Sequence, residues 1–511
     1  MKDLLLSGAL VLWGTLPNAQ AQTSYGKAYT NADGSAKLVE LEEGKTLVSM
    51  GRGPALTKLD GMGEMIWTVW KWGNGTQPIY YPLCVAKLSE SSFYSVGGYQ
   101  SSGFQPVLCR LSSSGDILEA KRYLISNALM PFAKDVAVTA DGGAVIWSRR
   151  DFSGFFILKA QPDLACQWSH FYNSIGSFQF VRELPGGDLL AGLNMDTAGA
   201  AVARLDANGN LLWCKSYIRP KGVVHDAVVE SDSSFVITGF TDSTASQNAP
   251  PGYDPRLFLM KLNGAGEVQW CKSYDGTDLW YASRGQHIVH ASDNGYVLMA
   301  QAGGKPVLLK TNENGDTLWT RTTNTPAYHY TAIDMIGRED GGYMMSMGVI
   351  GGELNGPALM KTDALGHFPC GDRSYPVQVL DLFPVDSAFT LVPASSGATA
   401  YPVTFRDTVF DPMVPYDLCD IVTTVPEPRR SSRAIIHPNP NTGRFTVEFD
   451  DPLTVDSFYS VYNAVGQLLF QRPLAKGQVS EEIDLSRFAK GTYLVRVSDR
   501  NGVCYERVVV Q

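Results

Sequence analysis

The sequence predicts an all-β protein: a seven-bladed β-propeller, a small connector and a C-terminal immunoglobulin-like β-sandwich. Two observations carry the propeller. The stretch R-L-D-A-N-G-N-L-L-W-C-K-S-Y, Arg204 to Tyr217, recurs in degraded form. Trp213 has counterparts at Trp67, Glu119, Trp168, Trp270, Trp319 and Cys370, at intervals of 52, 49, 45, 57, 49 and 51 residues. A period near 50 in register means one supersecondary unit repeated around a ring. The other observation is the constant company each position keeps. Nine residues earlier stands a cation: Lys58, Arg110, Lys159, Arg204, Lys261, Lys310 or Lys361. Four residues earlier stands Gly63, Gly115, Gly209, Gly266, Gly315 or Gly366, with Leu164 alone departing.

Each unit reads as four strands. An apolar run leads to a turn such as Asp141-Gly142-Gly143 or Asp340-Gly341-Gly342, and a second strand follows, such as Tyr343 to Met347. The third strand ends at the cation, and the fourth returns with the tryptophan. Gly and Asn supply the positive φ such hairpins need. If Asp206 to Gly209 form the turn, Arg204 faces Leu211 and Trp213 is its diagonal neighbour, a cation–aromatic pair of structural purpose. At Arg110 the partner is Glu119, so an ion pair replaces it. The last unit, Thr331 to Cys370, lacks a good fourth strand. Residues 23–29 resemble the ends of fourth strands such as Lys215-Ser216-Tyr217 and are expected to close the ring, with Tyr375 to Leu382 as the competing closure.

Composition bounds the rest. The chain has 511 residues and a net charge of −9, with no basic block longer than Arg429-Arg430. Nucleic acid is therefore not an expected partner. Residues 1–21 read as a secretory signal peptide: Lys2, the apolar run Leu4 to Leu16, then Ala19-Gln20-Ala21. That run is too short to span a bilayer, and no later stretch approaches the ~20 apolar residues a transmembrane segment needs. The expected divisions are 1–21, the propeller at 22–370, a connector or small β segment with linker at 371–432, and the terminal domain at 433–511. An extracellular or cell-surface location permits disulfides among the eight cysteines. Cys370 and Cys419 bracket the connector and are the expected bridge. Cys84 and Cys109 sit two strand spacings apart, ~9.5 Å, beyond bridging reach.

Chemistry is hard to find. The pair His287 and His290 falls on opposite faces of a strand, and no nucleophile elbow, EF-hand or phosphate loop is present. No metal or cofactor is expected, and no catalytic residue is assigned. A ligand would meet the propeller mouth, where Lys134, Asp135, Gln179, His225, Asp226, Arg284, Gln286, His329 and Tyr330 converge on the channel. Polar and aromatic residues of this kind suit an extracellular glycan, peptide or surface protein. The leading expectation is a non-enzymatic binding scaffold, and the alternative is an extracellular hydrolase or lyase acting on polysaccharide or peptide at the mouth.

Two resemblances sharpen this picture. The unit Phe235 to Tyr274 resembles the β-propeller repeats of secreted bacterial proteins, a likeness that implies fold and brings no catalytic residue. From Ile435 the chain reads I-I-H-P-N-P-N-T-G-R-F, then N-A-V-G-Q-L-L, then F-A-K-G-T-Y-L-V-R-V, and ends in V-V-V-Q. Pro438, Asn439, Pro440, Gly443, Phe445, Gly466, Gly491 and Tyr493 are the motif positions. This pattern is similar to the type A sorting domain of the type IX (Por) secretion system. The resemblance implies recognition by that secretion machinery and release or anchoring at the cell surface.

Overall fold

The computed structural model describes residues 24–29, 37–50, 55–72, 80–100, 104–125, 133–149, 154–173, 176–195, 199–218, 222–241, 256–276, 287–323, 329–351, 354–388, 391–403, 406–408, 415–419, 434–449, 452–453, 457–463, 468–498 and 503–511. The signal-like segment, Arg284, Gln286 and Gly466 lie outside them. The chain divides into two compact units, one ending at Cys419 and the other beginning at Asp420.

In the first unit the described strands form seven five-stranded antiparallel sheets. The fourth sheet shows how local sequence sets the hairpin. The Asp206 carboxylate accepts from the N–H groups of Asn208 and Asn210 at 2.9 and 2.8 Å, and Gly209 at φ 81° completes the turn. Leu205 then pairs with Leu211, but a register shift follows and Arg204 pairs directly with Trp213. The diagonal relation expected from a plain hairpin is therefore wrong. A bulge adds one residue on the returning strand and brings the tryptophan opposite the cation. The same shift pairs Lys58 with Trp67, Arg110 with Glu119, Lys159 with Trp168, Lys261 with Trp270 and Lys310 with Trp319.

Five of the seven cations reach carboxylates. Lys159, Arg204 and Lys361 reach the turn carboxylates Asp141, Asp188 and Asp340 at 3.1, 2.7 and 2.7 Å, and Lys310 pairs with Asp293. Arg110 bonds Glu119 at 3.1 Å, as the substitution of Glu for Trp suggested. Lys159, Lys310 and Lys361 are buried, so each turn aspartate neutralises a charge that water does not reach.

The tryptophans instead join neighbouring sheets. A Cβ built on Gly115 would lie 2.8 Å from the Trp67 ring, and one on Gly209 2.8 Å from Trp168. The turn glycine of each following sheet is thus the floor on which the indole rests. Four residues beyond the tryptophan position, Tyr172, Tyr217 and Tyr274 donate to the carbonyls of Gly209, Gly266 and Gly315 at 2.6, 2.8 and 2.6 Å. Apolar clusters fill the space between the same pairs of sheets; one joins Trp147, Phe155 and Ile157 to Phe178, Leu189 and Leu205. Sheets stacked face to face around an axis are a propeller-like arrangement.

Tyr25–Tyr29 completes the seventh sheet, pairing antiparallel with Leu354–Lys361. Tyr25 stands opposite Lys361, where other sheets carry tryptophan, and its ring covers Gly63. The competing closure is overturned, because Gln378–Asp381 pairs with Val268–Asp275 in the fifth sheet.

The stretch read as a connector does something else. From Asp372 to Asp417 it lays one short strand along the outer edge of every sheet, in the order sixth, fifth, fourth, third, second, first, seventh. Its members run from Ser387–Ala388, two residues, to Gln378–Asp381, four residues. This belt starts just after Cys370 and ends just before Cys419, and the two cysteines form the expected disulfide. Cys84, Cys109, Cys166, Cys214 and Cys271 are not in disulfides.

The second unit holds a three-stranded sheet, Ala434–His437, Arg444–Phe449 and Ser480–Asp484, and a four-stranded sheet, Leu468–Leu474, Ser457–Asn463, Gly491–Ser498 and Val503–Val510. Phe445, Val447, Tyr459, Val461, Val495 and Val508 enclose one core between them.

Candidate functional site

The first strands of the seven sheets line one central cavity of about 360 Å³. Five carry a register shift, at Pro82/Cys84, Ala133/Asp135, Phe178/Phe180, Val224/Asp226 and Ala332/Asp334. The extra residues are Leu83, Lys134, Gln179, His225 and Ile333. Bulges re-aim the residues that follow them, and the residue after four of these, Cys84, Asp135, Asp226 or Asp334, lines the cavity.

The lining is a chain of charged and polar side chains contributed by successive sheets. Asp334 accepts the Leu38 N–H at 2.8 Å and lies 3.5 Å from Lys37 Nζ. Asp226 takes Arg182 at 2.6 Å, and Arg182 also approaches Asp135 at 3.9 Å. His287 Nδ1 stands 3.2 Å from both Asp226 and Asp334, while its Nε2 meets the Ile333 carbonyl at 2.5 Å. Both ring nitrogens therefore face oxygen atoms, two carboxylates on one side and a backbone carbonyl on the other. Around the axis the order is Lys37, Asp135, Arg182, Asp226, His287, Asp334. Cys84, on the sheet between those of Lys37 and Asp135, donates to Asp135 at 2.8 Å.

Burial and partners oppose each other here. Burial pushes the Asp226 carboxyl up, but Arg182 and His287 outweigh it and hold the group well below the usual carboxylate range. Burial likewise works against charged Lys37, but Asp334 together with Asp135, Cys84 and Asp226 outweighs it, so its pKa is raised. Burial, then the neighbouring Asp135 carboxylate, pushes the Cys84 thiol well above its ordinary value, which leaves it a donor and a poor nucleophile. His225, beside Phe240, is lowered to about 4 by burial and by His287.

Of the residues expected at the mouth, Asp135 and Asp226 belong to this lining. Gln179 and His225 occupy bulges on adjacent sheets, as does the backbone of Lys134. His329 is exposed at the start of its strand. Tyr330 is a correction: it is 1% exposed, its N–H donating to Gly304, and so belongs to the packing rather than an open mouth. Lys37, Cys84, Arg182, His287 and Asp334 were not singled out for the channel. A signal existed in part, since Asp135, Asp226 and Asp334 each precede two apolar residues at the same point of a first strand. Among the described residues no group of three or more His, Cys, Asp or Glu is arranged to hold a metal.

In the second unit the motif residues knit the chain end. Asn439 donates to the Arg507 carbonyl at 2.6 Å and accepts from Val509 N–H at 2.9 Å. Gly443, at φ 108°, donates to the Asn441 side chain at 2.7 Å. A Cβ there would lie 2.8 Å from the Ser486 backbone. Phe445 is buried in the core, and Tyr493 donates to the Ala489 carbonyl.

Residues 435–511 match the family of secretion-system C-terminal sorting domains, the Por secretion tail. A tail of this family implies export by the type IX secretion system and attachment at the surface. No helix among the described residues is long and apolar enough to cross a membrane. No curated protein matches the sequence. Among solved structures, virginiamycin B lyase from Staphylococcus aureus is similar at 11% identity, covering 66% of this chain and 99% of its own, with a TM-score of 0.45. The polysaccharide lyase Uly1 is similar at 11% identity, covering 66% and 91%, with a TM-score of 0.41. A protein of unknown function from Bacteroides caccae aligns at 11% identity over 58% and 93%, with a TM-score of 0.34.

Proposed function

We propose that this protein is a secreted or surface-held binding scaffold: a seven-bladed propeller that leaves the cell by the type IX route on a type A, immunoglobulin-like sorting domain. A signal peptide, removed after Ala21, starts that route. The observation that carries the non-enzymatic reading is the charged lining. Asp135, Asp226 and Asp334 each have a partner within the ring, so the acids of the channel serve to hold the sheets together. His225, with its pKa near 4, is a weak base at neutral pH. Binding falls to the rim, where Lys134, Gln179 and His225 lie on successive bulges and His329 is exposed at the start of its strand; Arg284 and Gln286, outside the described residues, are the further candidates from the sequence. Such a rim takes a glycan, a peptide or a surface protein.

The test is a glycan and peptide array probed with the full chain, then with Gln179→Ala and His225→Ala. Loss of a ligand in both variants supports rim binding. A ligand retained by both moves the site elsewhere, and turnover of any bound glycan or peptide overturns the non-enzymatic reading.

A further inference from the structure

The belt and the closing strand meet at one point. Tyr25–Tyr29 lies between Leu354–Lys361 on one side and Pro415–Asp417 on the other. Cys370 and Cys419 cross over it: a Cβ on Gly26 would come within 3.1 Å of Cys370 Sγ and 3.5 Å of Leu418 Cβ. Leu418, fully buried, donates its N–H to the Gly26 carbonyl at 2.8 Å. The strand that completes the seventh sheet thus runs under the disulfide.

Beyond edge pairing and the apolar side chains it lends to the clusters between sheets, little holds the belt. Strands of two to four residues are too short to persist alone. Its ion pairs, Lys215–Asp386, Lys272–Asp381 and Arg321–Asp372, are at the surface, where such contacts contribute little. Tyr375, Leu391 and Leu418 are its buried apolar anchors. Every outer edge it covers would otherwise present unpaired backbone groups. The bond spans 49 residues of sequence; in the chain-entropy account a cross-link of that length favours the seated belt by roughly a thousandfold.

We propose that Cys370–Cys419 is a redox clasp on ring closure. With the bond formed, the belt and Tyr25–Tyr29 stay seated; with it open, they unseat together while the inner strands remain folded. Closing it takes two protons and two electrons from the thiols, passed through a mixed disulfide to an oxidant of the disulfide class. A dithiol reductant reverses the step. The clasp stays open in a reducing cytoplasm and closes outside it, so, on the secretion reading, final closure follows export.

Hydrogen exchange by mass spectrometry tests this on the full chain in three states: oxidised, reduced in place with dithiothreitol, and carrying Cys419→Ser. Exchange in Tyr25–Tyr29 and the belt strands is expected to quicken at least about tenfold in both bond-free states, with Val223–Val229 and Tyr296–Ala302 unchanged. Reduction in place keeps the test decisive if the serine variant does not fold. Unchanged exchange at the closing strand overturns the clasp. So does equal acceleration across all seven sheets, which makes the bond a general brace.

Discussion

Glu119 and Leu164, the residues that break the tryptophan and glycine patterns, belong to opposite sides of one joint between the second and third sheets. Tyr123, on the strand of Glu119, donates to the Leu164 carbonyl at 2.9 Å, as its counterparts do to glycine carbonyls elsewhere. Where an indole rests on the turn, a side chain cannot. Where Glu119 replaces the indole and turns to Arg110, Leu164 keeps φ 58° and is fully buried.

The pair should therefore be coupled. Glu119→Trp alone drives a ring into Leu164 and should cost about 1–3 kcal/mol through overpacking. Leu164→Gly alone relieves a left-handed backbone but empties a buried site, with a net loss of about 1–3 kcal/mol. The double variant rebuilds the joint seen at Trp67 and Gly115 and should recover at least about 1 kcal/mol relative to additivity. Urea titration of the four proteins gives the answer, and strict additivity rules the coupling out.

That joint also shows what a sequence can reveal. The spacing of Arg204, Gly209 and Trp213 was legible because one hairpin fixes it, within reach of local turn chemistry. The bulge that puts Trp213 opposite Arg204 was not, because no residue type marks it. Residues 23–29 were legible as a closing strand by their likeness to Lys215-Ser216-Tyr217, and Tyr29 takes the place of Tyr217, donating to the Gly63 carbonyl at 2.8 Å. The belt was hidden: Ser387–Ala388 is too short for alternation, and its stability comes from the sheets it borders. Of the channel, Asp135 and Asp226 were found on their strands, whereas Arg182 and His287 join them only through contacts between sheets.

The charged lining makes acid stability a readout of the channel. Asp226 has a depressed folded pKa, so its contribution is complete above about pH 4 and is lost as pH falls from there toward its folded value. His225 acts in the same direction. Its folded value near 4 lies below the ordinary 6.5, so the unfolded chain takes up its proton first and stability declines between about pH 6.5 and 4. Asp226→Asn should cost about 1–3 kcal/mol at pH 7, because Arg182 and His287 each lose one carboxylate while keeping Asp135 and Asp334, and should flatten the slope below pH 4. Denaturant melts from pH 2.5 to 7.5 measure both; a variant with the wild-type slope separates Asp226 from the acid transition.

A buried cation depends on its turn. Lys361 is 5% exposed and 2.7 Å from Asp340. Asp340→Asn should destabilise by about 3 kcal/mol because it leaves an ammonium without its charge partner. Lys361→Met in the same background should return most of that loss, since the stem already packs against apolar neighbours. Thermal melts of the three proteins decide it, and no recovery in the double variant assigns the loss to the turn itself.

Asn439 ties the Pro-Asn-Pro segment to the last strand through two hydrogen bonds, to Arg507 and from Val509. Asn441 extends the seam, its N–H donating to Val509 and its carbonyl accepting from Gln511, both within 2.9 Å. Asn439→Ala removes both side-chain bonds and should cost about 2 kcal/mol. The effect should concentrate in faster hydrogen exchange at Val503–Val510, with the Leu468–Leu474 edge unchanged. Asn439→Asp keeps the acceptor for Val509 and loses the donor to Arg507, so its exchange should fall between the two. Because the tail family implies export, the fraction of protein reaching the surface should follow the same order, wild type above Asp above Ala. Export that stays constant while exchange changes would mean the secretion machinery reads a surface other than this seam.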